Sequence, residues 1–204
     1  MLIGNARCAL STFGSTSPSY LILASLDKFN GSIPDFGSFS EKMARLRESL
    51  EDFGYRLVGD EPMKLTLDAR AHGYLGYEMA DELAARGVEV EFADPDFVVL
   101  MPSPMNSGME LMRLESALFS IPAREKIATR PPAFTLPERA LSPREAMLSA
   151  RVTLPLSECV GRVLAAVTVG CPPALPIAVA GEVISREVAA VFEYYGCTEL
   201  TVVK

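Results

Sequence analysis

The stretch with the clearest potential for chemistry is a run of hydroxyl side chains just before a proline. It spans residues 14–20 and reads Gly-Ser-Thr-Ser-Pro-Ser-Tyr. Serine followed by proline is typical of a helix start, because proline has no N–H to leave unpaired at the first helical position. Hydroxyls and free N–H groups that meet at a helix N-terminus can bind a phosphate. Ser15, Thr16 and Ser17 are therefore candidate phosphate ligands, although a plain helix cap explains the same residues and is favoured when they are considered alone.

Little else in the chain has the pattern of a catalytic or metal-binding group. His72 is the single histidine and has no nearby serine or cysteine partner in the sequence. Its glycine-flanked surroundings predict an exposed histidine with a surface or packing role. The four cysteines form no C-x-x-C pair, so we expect reduced thiols and no metal site; they are Cys8, Cys159, Cys171 and Cys197.

The bulk composition is that of an ordinary folded protein. The chain has 204 residues, of which 49% are hydrophobic and 22% charged, enough for one large domain or two small ones. Its net charge of −7 would repel a phosphate backbone, so nucleic acid is not an expected partner. Arg7 interrupts the first apolar stretch, and the apolar stretch 20–26 is too short to span a bilayer. We therefore expect no signal peptide, no membrane contact and a cytoplasmic protein.

Capping residues and hydrophobic periodicity indicate the elements that would position these groups. A first helix is predicted from Ser17-Pro18 to about Phe29, and a second from Ser38 to about Gly54. A β-α-β-β-α series follows, with its elements at 64–68, 78–86, 88–92, 97–101 and 109–121. This order predicts an α/β fold of the α+β kind, with a small split-βαβ-like domain whose helices lie on one face of its sheet.

A connector and a C-terminal lobe complete the predicted organisation. Five prolines between residues 122 and 143 indicate an extended connector. Ser142, Pro143 and Glu145 have the spacing of a capped helix start. Ser185 is expected to cap a last helix that ends at Gly196, before a final strand at 200–203. The predicted segments are a helical part at 1–60, a small α/β domain at 61–122, a connector at 123–141 and a C-terminal α/β lobe at 142–204.

Several stretches together resemble one enzyme family. Residues 15–27, Ser-Thr-Ser-Pro-Ser-Tyr-Leu-Ile-Leu-Ala-Ser-Leu-Asp, closely resemble a signature of the ornithine/lysine/arginine decarboxylases, which are pyridoxal-phosphate (PLP) enzymes of the aspartate-aminotransferase fold. Further resemblances follow in the family's order, at 64–67, 73–83, 142–146, 161–163, 171–176 and 181–184. Cys171, Ala174 and Ala180 stand where the family has tyrosine, glycine and proline, which suggests relaxed backbone demands there. The chain thus resembles the C-terminal part of the enzymes of this family.

The resemblance implies a cofactor, a reaction and a partner. The family uses PLP to decarboxylate a basic amino acid to a polyamine precursor, so residues 1–60 would be a helical remnant of its PLP-binding large domain. Residues that match Ser15, Thr16 and Ser17 contact the PLP phosphate of the neighbouring subunit across a dimer interface. The implied partner is therefore a second copy or a companion chain that carries the large domain, with a basic amino acid as the small-molecule ligand.

The family's covalent PLP anchor has no match in this sequence. That anchor is a lysine in a Ser-x-His-Lys-type motif, and no lysine here follows a histidine; the lysines are Lys28, Lys42, Lys64, Lys126 and Lys204. We therefore expect no catalytic residue and no activity from this chain alone. A non-catalytic module that dimerises, or that binds and regulates a full-length decarboxylase, is the alternative.

Overall fold

The computed structural model describes residues 12, 14, 17, 19–133, 135–166 and 176–204. The α-helices with described bounds are α1 (Tyr20–Asn30), α2 (Phe36–Phe53), α3 (Gly76–Ala84), α4 (Gly108–Phe119), α5 (Pro143–Leu148) and α6 (Arg186–Tyr194), and two short 3₁₀ helices cover Ala69–His72 and Leu156–Glu158. The strands are β1 (Leu57–Val58), β2 (Leu65–Asp68), β3 (Phe92–Ala93), β4 (Phe97–Leu100), β5 (Arg151–Pro155) and β6 (Glu199–Val203). No helix in the described ranges is both long and apolar enough to cross a membrane.

The first two helices begin at caps other than the predicted ones. The Ser19 hydroxyl accepts the N–H of Ile22 at 3.5 Å, so α1 begins at Tyr20 and the predicted start at Ser17 is wrong by two residues. Helix α2 begins before the predicted Ser38, because the Asp35 carboxylate accepts two backbone N–H groups, at 3.0 and 3.2 Å. Its end at Gly54, with φ of 111°, is as predicted, since glycine adopts the left-handed conformation without steric cost.

A four-stranded sheet in the order β1-β2-β4-β3 forms the centre of the small domain. All three strand pairs are antiparallel, with Leu65 opposite Leu100 and Leu67 opposite Val98 between β2 and β4. Because β4 is antiparallel to both β2 and β3, those two strands run parallel to each other, with α3 as their connection and β4 between them. This is the split-βαβ arrangement that the order of elements predicts.

One face of this sheet carries the larger hydrophobic core. Side chains alternate between the two faces of a strand, and Leu65, Leu67, Val98 and Leu100 point to the same face. The helical residues buried in the same cluster are Phe39, Met43, Leu46 and Leu50 of α2, Met79 and Leu83 of α3, and Leu114, Ala117 and Leu118 of α4. The helices therefore cover one face, as predicted, which leaves Thr66, Asp68, Phe97 and Val99 on the opposite face.

One predicted strand of the small domain is wrong over most of its length. Residues 88–92 alternate in polarity, but the strand β3 covers only Phe92 and Ala93. Val88 and Val90 pack half-buried against the core cluster without pairing to a neighbouring strand. The first ladder contact comes at Glu91, whose N–H donates to Val99 at 2.9 Å. The alternation thus reflects packing of a coil segment.

The C-terminal lobe has its own sheet and its own buried cluster. Strands β5 and β6 pair antiparallel from Arg151 opposite Val203 to Pro155 opposite Glu199. Buried residues of this cluster are Cys159, Leu164, Ala178, Ile184, Val188, Ala189, Phe192, Leu200 and Val202. The predicted final strand and the Ser185 cap of α6 are both confirmed. Strand β5 was not predicted, and the four segment boundaries stay predictions.

The connector joins this lobe through its last residues. The N–H groups of Ala140 and Leu141 both donate to the carbonyl of Gly181, at 2.9 and 3.0 Å. Gly181 has φ of 97°, and a Cβ there would overlap the Leu141 carbonyl. Helix α5 then begins at the predicted capping box, in which Ser142 and Glu145 each accept the other's backbone N–H. The neighbouring Ala180 is buried, and the relaxed backbone demand at this position stays a prediction.

Candidate functional site

The predicted phosphate ligands fall largely outside the described residues. Ser15 and Thr16 lie outside those residues, whereas Ser17 lies among them and is exposed. All three come before α1 in the sequence, and the cap of α1 is Ser19. Their role as phosphate ligands stays a prediction.

The five lysines do not fit a covalent PLP anchor. All five are described; four are exposed, and the half-buried Lys64 pairs with Glu61 at 2.8 Å. A Schiff-base lysine needs a pocket that holds the cofactor, with an acidic partner for its ring nitrogen. None of these side chains has that environment, so no catalytic step is assigned to a lysine of this chain.

His72 is a packing residue, and its predicted exposure is wrong. Its side chain is buried and stacks on Tyr55, with 4.2 Å between the ring centroids. The Nε2 atom lies 3.2 Å from the Ile121 carbonyl. Gly73, with φ of 89°, ends the short 3₁₀ helix that carries His72. A histidine held in this way by aromatic neighbours has no solvent-facing nucleophile to activate.

Neither the thiols nor the carboxylates of the described residues assemble a reactive or metal-binding centre. Cys159 and Cys197 are free, and burial raises the pKa of both thiols. A raised pKa lowers the thiolate fraction, which makes these thiols poor nucleophiles. Cys8 and Cys171 lie outside the described ranges. Within those ranges, no three His, Cys, Asp or Glu side chains are grouped to hold a metal.

The tightest polar cluster surrounds Asp96, in the turn between β3 and β4. Its side chain is only 1% exposed, and its Oδ1 atom pairs with Arg70 Nε at 2.7 Å. The Tyr194 hydroxyl donates to the same oxygen at 2.6 Å, and the Tyr195 hydroxyl donates to Oδ2 at 3.4 Å. The Arg70 guanidinium also lies 5.4 Å from the Tyr194 ring centroid. This cluster therefore ties the small domain to the end of α6.

The turn that holds Asp96 is built by Asp94. The Oδ1 atom of Asp94 accepts the N–H groups of Asp96 and Phe97, both at 2.7 Å. The Asp-Pro-Asp sequence is typical of such a turn. Burial raises the pKa of Asp94, although these two hydrogen bonds oppose the shift. The Asp96 carbonyl accepts the N–H of Ala69 at 3.0 Å, which fixes the turn against the end of β2.

We expect the Asp96 cluster to lose stability at alkaline pH. Burial, followed by the negative charge of Asp96, raises the pKa of Tyr195 from 10.0 to about 12, and burial raises that of Tyr194 as well. The folded state thus holds these protons more tightly than the unfolded state. The contribution of Tyr195 is complete below about pH 10 and is lost as the pH rises to about 12. Between these values, urea unfolding should show a smaller decline in stability for Tyr195→Phe than for the wild type.

The control for this pH dependence is Tyr77→Phe. Tyr77 is exposed on α3, so its replacement should leave the alkaline decline of the wild type unchanged. Equal slopes for Tyr195→Phe and the wild type would contradict the expected linkage.

A second polar cluster lines a cleft on the sheet face that α2, α3 and α4 leave uncovered. Asp68 is buried there and accepts the N–H of Ala71 at 3.0 Å. Arg56 Nη1 lies 3.6 Å and Arg130 Nη2 3.4 Å from Asp68 Oδ2. The cleft has a volume of about 430 Å³ and is lined by Arg56, Val58, Asp68, Asp96, Phe97, Arg130 and Pro131.

Helix α1 presents an unusual apolar surface. None of its residues is buried; Leu21 is 85% exposed, and Leu26 and Phe29 are each 57% exposed. Apolar residues occupy positions 20–24, 26 and 29. At 100° per residue these positions point to all sides of the helix. The remaining residues, Ser25, Asp27, Lys28 and Asn30, are polar, but this amount of exposed apolar surface on one helix is typical of a helix that packs inside a larger protein.

Comparison with curated proteins finds that the chain is similar to arginine decarboxylases. No family model matches the chain. Arginine decarboxylase of Bacillus subtilis (strain 168) is 29% identical over 202 residues, which cover 87% of this chain and 41% of that protein. Arginine decarboxylase of Bacillus anthracis is 24% identical over 209 residues, which cover 91% and 42%. The chain thus spans about two fifths of the length of these curated relatives.

Two solved structures share the fold. The constitutive lysine decarboxylase of E. coli matches with a TM-score of 0.69 at 16% identity, over 96% of this chain and 45% of that chain. A lysine decarboxylase of Francisella novicida matches with a TM-score of 0.51 at 15% identity, over 73% and 32%. At such identities the likeness concerns the fold alone, and it confirms the predicted α/β class.

Proposed function

Since the chain resembles the C-terminal part of the ornithine/lysine/arginine decarboxylase family over most of its length, we propose that it acts as that portion of a basic-amino-acid decarboxylase. The reaction would remove the α-carboxylate of arginine, lysine or ornithine as CO₂, with PLP supplying the electron sink. The PLP lysine would belong to a large domain outside these 204 residues, because none of the five lysines here fits that role.

The observation that carries this proposal is the exposure of α1 on all sides. Burying an apolar side chain such as Leu21 or Phe29 stabilises a complex by about 1.5–3 kcal/mol. A second α1 packed alongside the first would cover a single stripe of it. A large domain that surrounds the helix would cover all of it. We therefore favour the large domain of a decarboxylase as the partner over a simple pairing of two α1 helices.

The same contact would give the hydroxyl run its role. Ser15, Thr16 and Ser17 lie within about five residues of the start of α1 at Tyr20, so a domain that encloses this helix would lie close to them, and by the resemblance its PLP phosphate would be their ligand. Hydroxyls next to a helix N-terminus suit a phosphate dianion. The contribution of this chain to the cofactor would thus be a phosphate contact in trans, without a covalent bond.

A regulatory module is the second candidate, and the surface of α1 supports it as well. A chain that docks α1 on a full-length decarboxylase could change the activity of that enzyme without completing its active site. The two candidates differ in one outcome. A decarboxylase portion restores CO₂ release to a large domain that lacks its C-terminal part, whereas a regulatory module changes only an enzyme that is already complete.

The test is co-expression of the full chain with the portion of the Bacillus subtilis arginine decarboxylase that lies outside its match to this chain. We expect co-purification of the two portions and CO₂ release from arginine by their complex. Leu21 and Leu26 lie on different sides of α1, so Leu21→Glu and Leu26→Glu should each weaken association at least tenfold if the helix is enclosed. If only one of these two variants weakens association, α1 contacts its partner through a single face, as paired helices do.

The matched control is Leu136→Glu in the connector. Leu136 is 91% exposed, so this variant adds the same charge at an exposed leucine far from α1 in the sequence. Association should survive in it, and the thermal unfolding of all three free variants should match the wild type. Co-purification without CO₂ release, combined with altered activity of the intact enzyme, would favour the regulatory module. Absence of association would contradict both candidates.

A further inference from the structure

The cleft around Asp68 has more hydrogen-bond donors than its own carboxylates use. Oδ1 of Asp68 accepts from the Ala71 N–H at 3.0 Å and from Arg130 Nη1 at 3.4 Å. Oδ2 faces Arg56 Nη1 at 3.6 Å and Arg130 Nη2 at 3.4 Å. Each guanidinium carries five N–H donors. Within the described part of the chain, these contacts engage three guanidinium nitrogens, and the side chains of Arg56 and Arg130 stay 65% and 47% exposed.

The charges in the cleft also do not balance. Asp96 is already neutralised by Arg70 at 2.7 Å. Asp68 needs one positive partner and has two, Arg56 and Arg130. Arg56 and Arg130 therefore bring one positive charge more to Asp68 than this carboxylate compensates, although the whole chain carries −7. A concentration of positive charge in an acidic protein attracts anions to one place.

The shape of the cleft suits a small ligand. Asp68 and Phe97 pair across β2 and β4 on the face opposite the three helices, and Val58 and Pro131 form apolar walls. The arginine side chains stand at the opening, with 65% of Arg56 and 47% of Arg130 exposed. The volume of about 430 Å³ lies in the range of small-molecule sites.

We propose that this cleft binds a small oxyanion, a phosphate or carboxylate group, between the guanidiniums of Arg56 and Arg130. The planar fork of arginine matches two oxygens of such a group, and charge-assisted hydrogen bonds of this kind are stronger than neutral ones. The buried Asp68 holds both arginines in place from below. The site requires neither PLP nor a large-domain partner, so it stands apart from the decarboxylase proposal.

The test is nuclear magnetic resonance titration of the full chain, with inorganic phosphate and with acetate in separate series at constant ionic strength. We expect saturable shifts of the backbone amides at 68–72 with at least one of these anions. Arg56→Gln and Arg130→Gln should each weaken binding at least tenfold. Saturation by phosphate alone would identify a phosphate group as the ligand, and saturation by acetate alone a carboxylate group.

Two further variants keep the test decisive. Arg45→Gln removes an exposed arginine of α2 and should leave the affinity unchanged. Arg130→Lys keeps the charge but loses the fork, so a weaker but measurable affinity is expected even if Arg130→Gln fails to fold. No saturable shift with either anion, or an equal loss in Arg45→Gln, would overturn the proposal, because binding would then be absent or would reflect diffuse charge.

Discussion

Replacement of Asp96 by asparagine should lower the free energy of unfolding by about 3–5 kcal/mol, the usual effect of breaking a buried ion pair from one side. Arg70 is 5% exposed and faces Asp96 Oδ1 at 2.7 Å. Without the Asp96 carboxylate, the positive charge of Arg70 would stay buried and unpaired. The Tyr194 and Tyr195 hydroxyls would lose a charged acceptor as well. Chemical denaturation followed by circular dichroism at neutral pH measures the loss.

Two companion variants separate charge burial from a general loss of contacts. Asp52→Asn removes an exposed carboxylate of α2 and should change stability by less than about 0.5 kcal/mol. Adding Arg70→Met to Asp96→Asn removes the stranded cation, so the double variant should be more stable than Asp96→Asn alone. A double variant less stable than the single one would contradict the importance of the unpaired charge.

Replacement of Gly76 by alanine should destabilise the protein by several kcal/mol, although alanine normally favours a helix over glycine by about 1 kcal/mol. Gly76 is the first residue of α3, and its N–H lies 3.4 Å from the Pro95 carbonyl. A Cβ on Gly76 would overlap the carbonyl oxygens of Asp94 and Phe97, which are backbone atoms of the turn that holds Asp96. Relief of that overlap requires the helix and turn to separate. Thermal and urea unfolding measure the effect.

Gly108 offers a matched control for this substitution. It is the first residue of α4, and a Cβ there would meet no atom within 4 Å. Gly108→Ala should therefore be neutral or stabilising by about 0.4–1 kcal/mol, because alanine restricts the unfolded chain. Similar changes in stability for Gly76→Ala and Gly108→Ala would contradict the expectation that overlap with backbone atoms at Gly76 destabilises the protein.

Local signals in the sequence predict much of the fold. Ser142 with Glu145, the Asp94-Pro95-Asp96 turn and the glycine that ends α2 each act within a few residues, so their types suffice to identify them. The order β-α-β-β-α likewise predicts the split arrangement of the sheet. Predictions fail where a local pattern has two explanations, as at 88–92, where alternation comes from half-buried valines that do not pair.

The polar clusters could not be predicted in this way, because their members are distant in the sequence. Asp96 and Tyr194 are 98 positions apart, and Asp68 and Arg130 are 62 apart. Nothing in the sequence specifies which carboxylate meets which cation until the strands are paired. The inward turn of His72 has the same origin, since Tyr55 approaches it from another element. The hydroxyls of Ser15, Thr16 and Ser17 were identifiable because they are neighbours.

The length of α1 has a consequence for the strength of its association. Isolated helices shorter than about 12–15 residues are marginal in water, and α1 has 11 residues, none of them buried. Its ordering and its capture would therefore be a single coupled event, in which each residue that becomes fixed costs about 1–2 kcal/mol of backbone entropy. The affinity would be more modest than the area of contact suggests, and the helical circular dichroism of the mixture would exceed the sum of its parts.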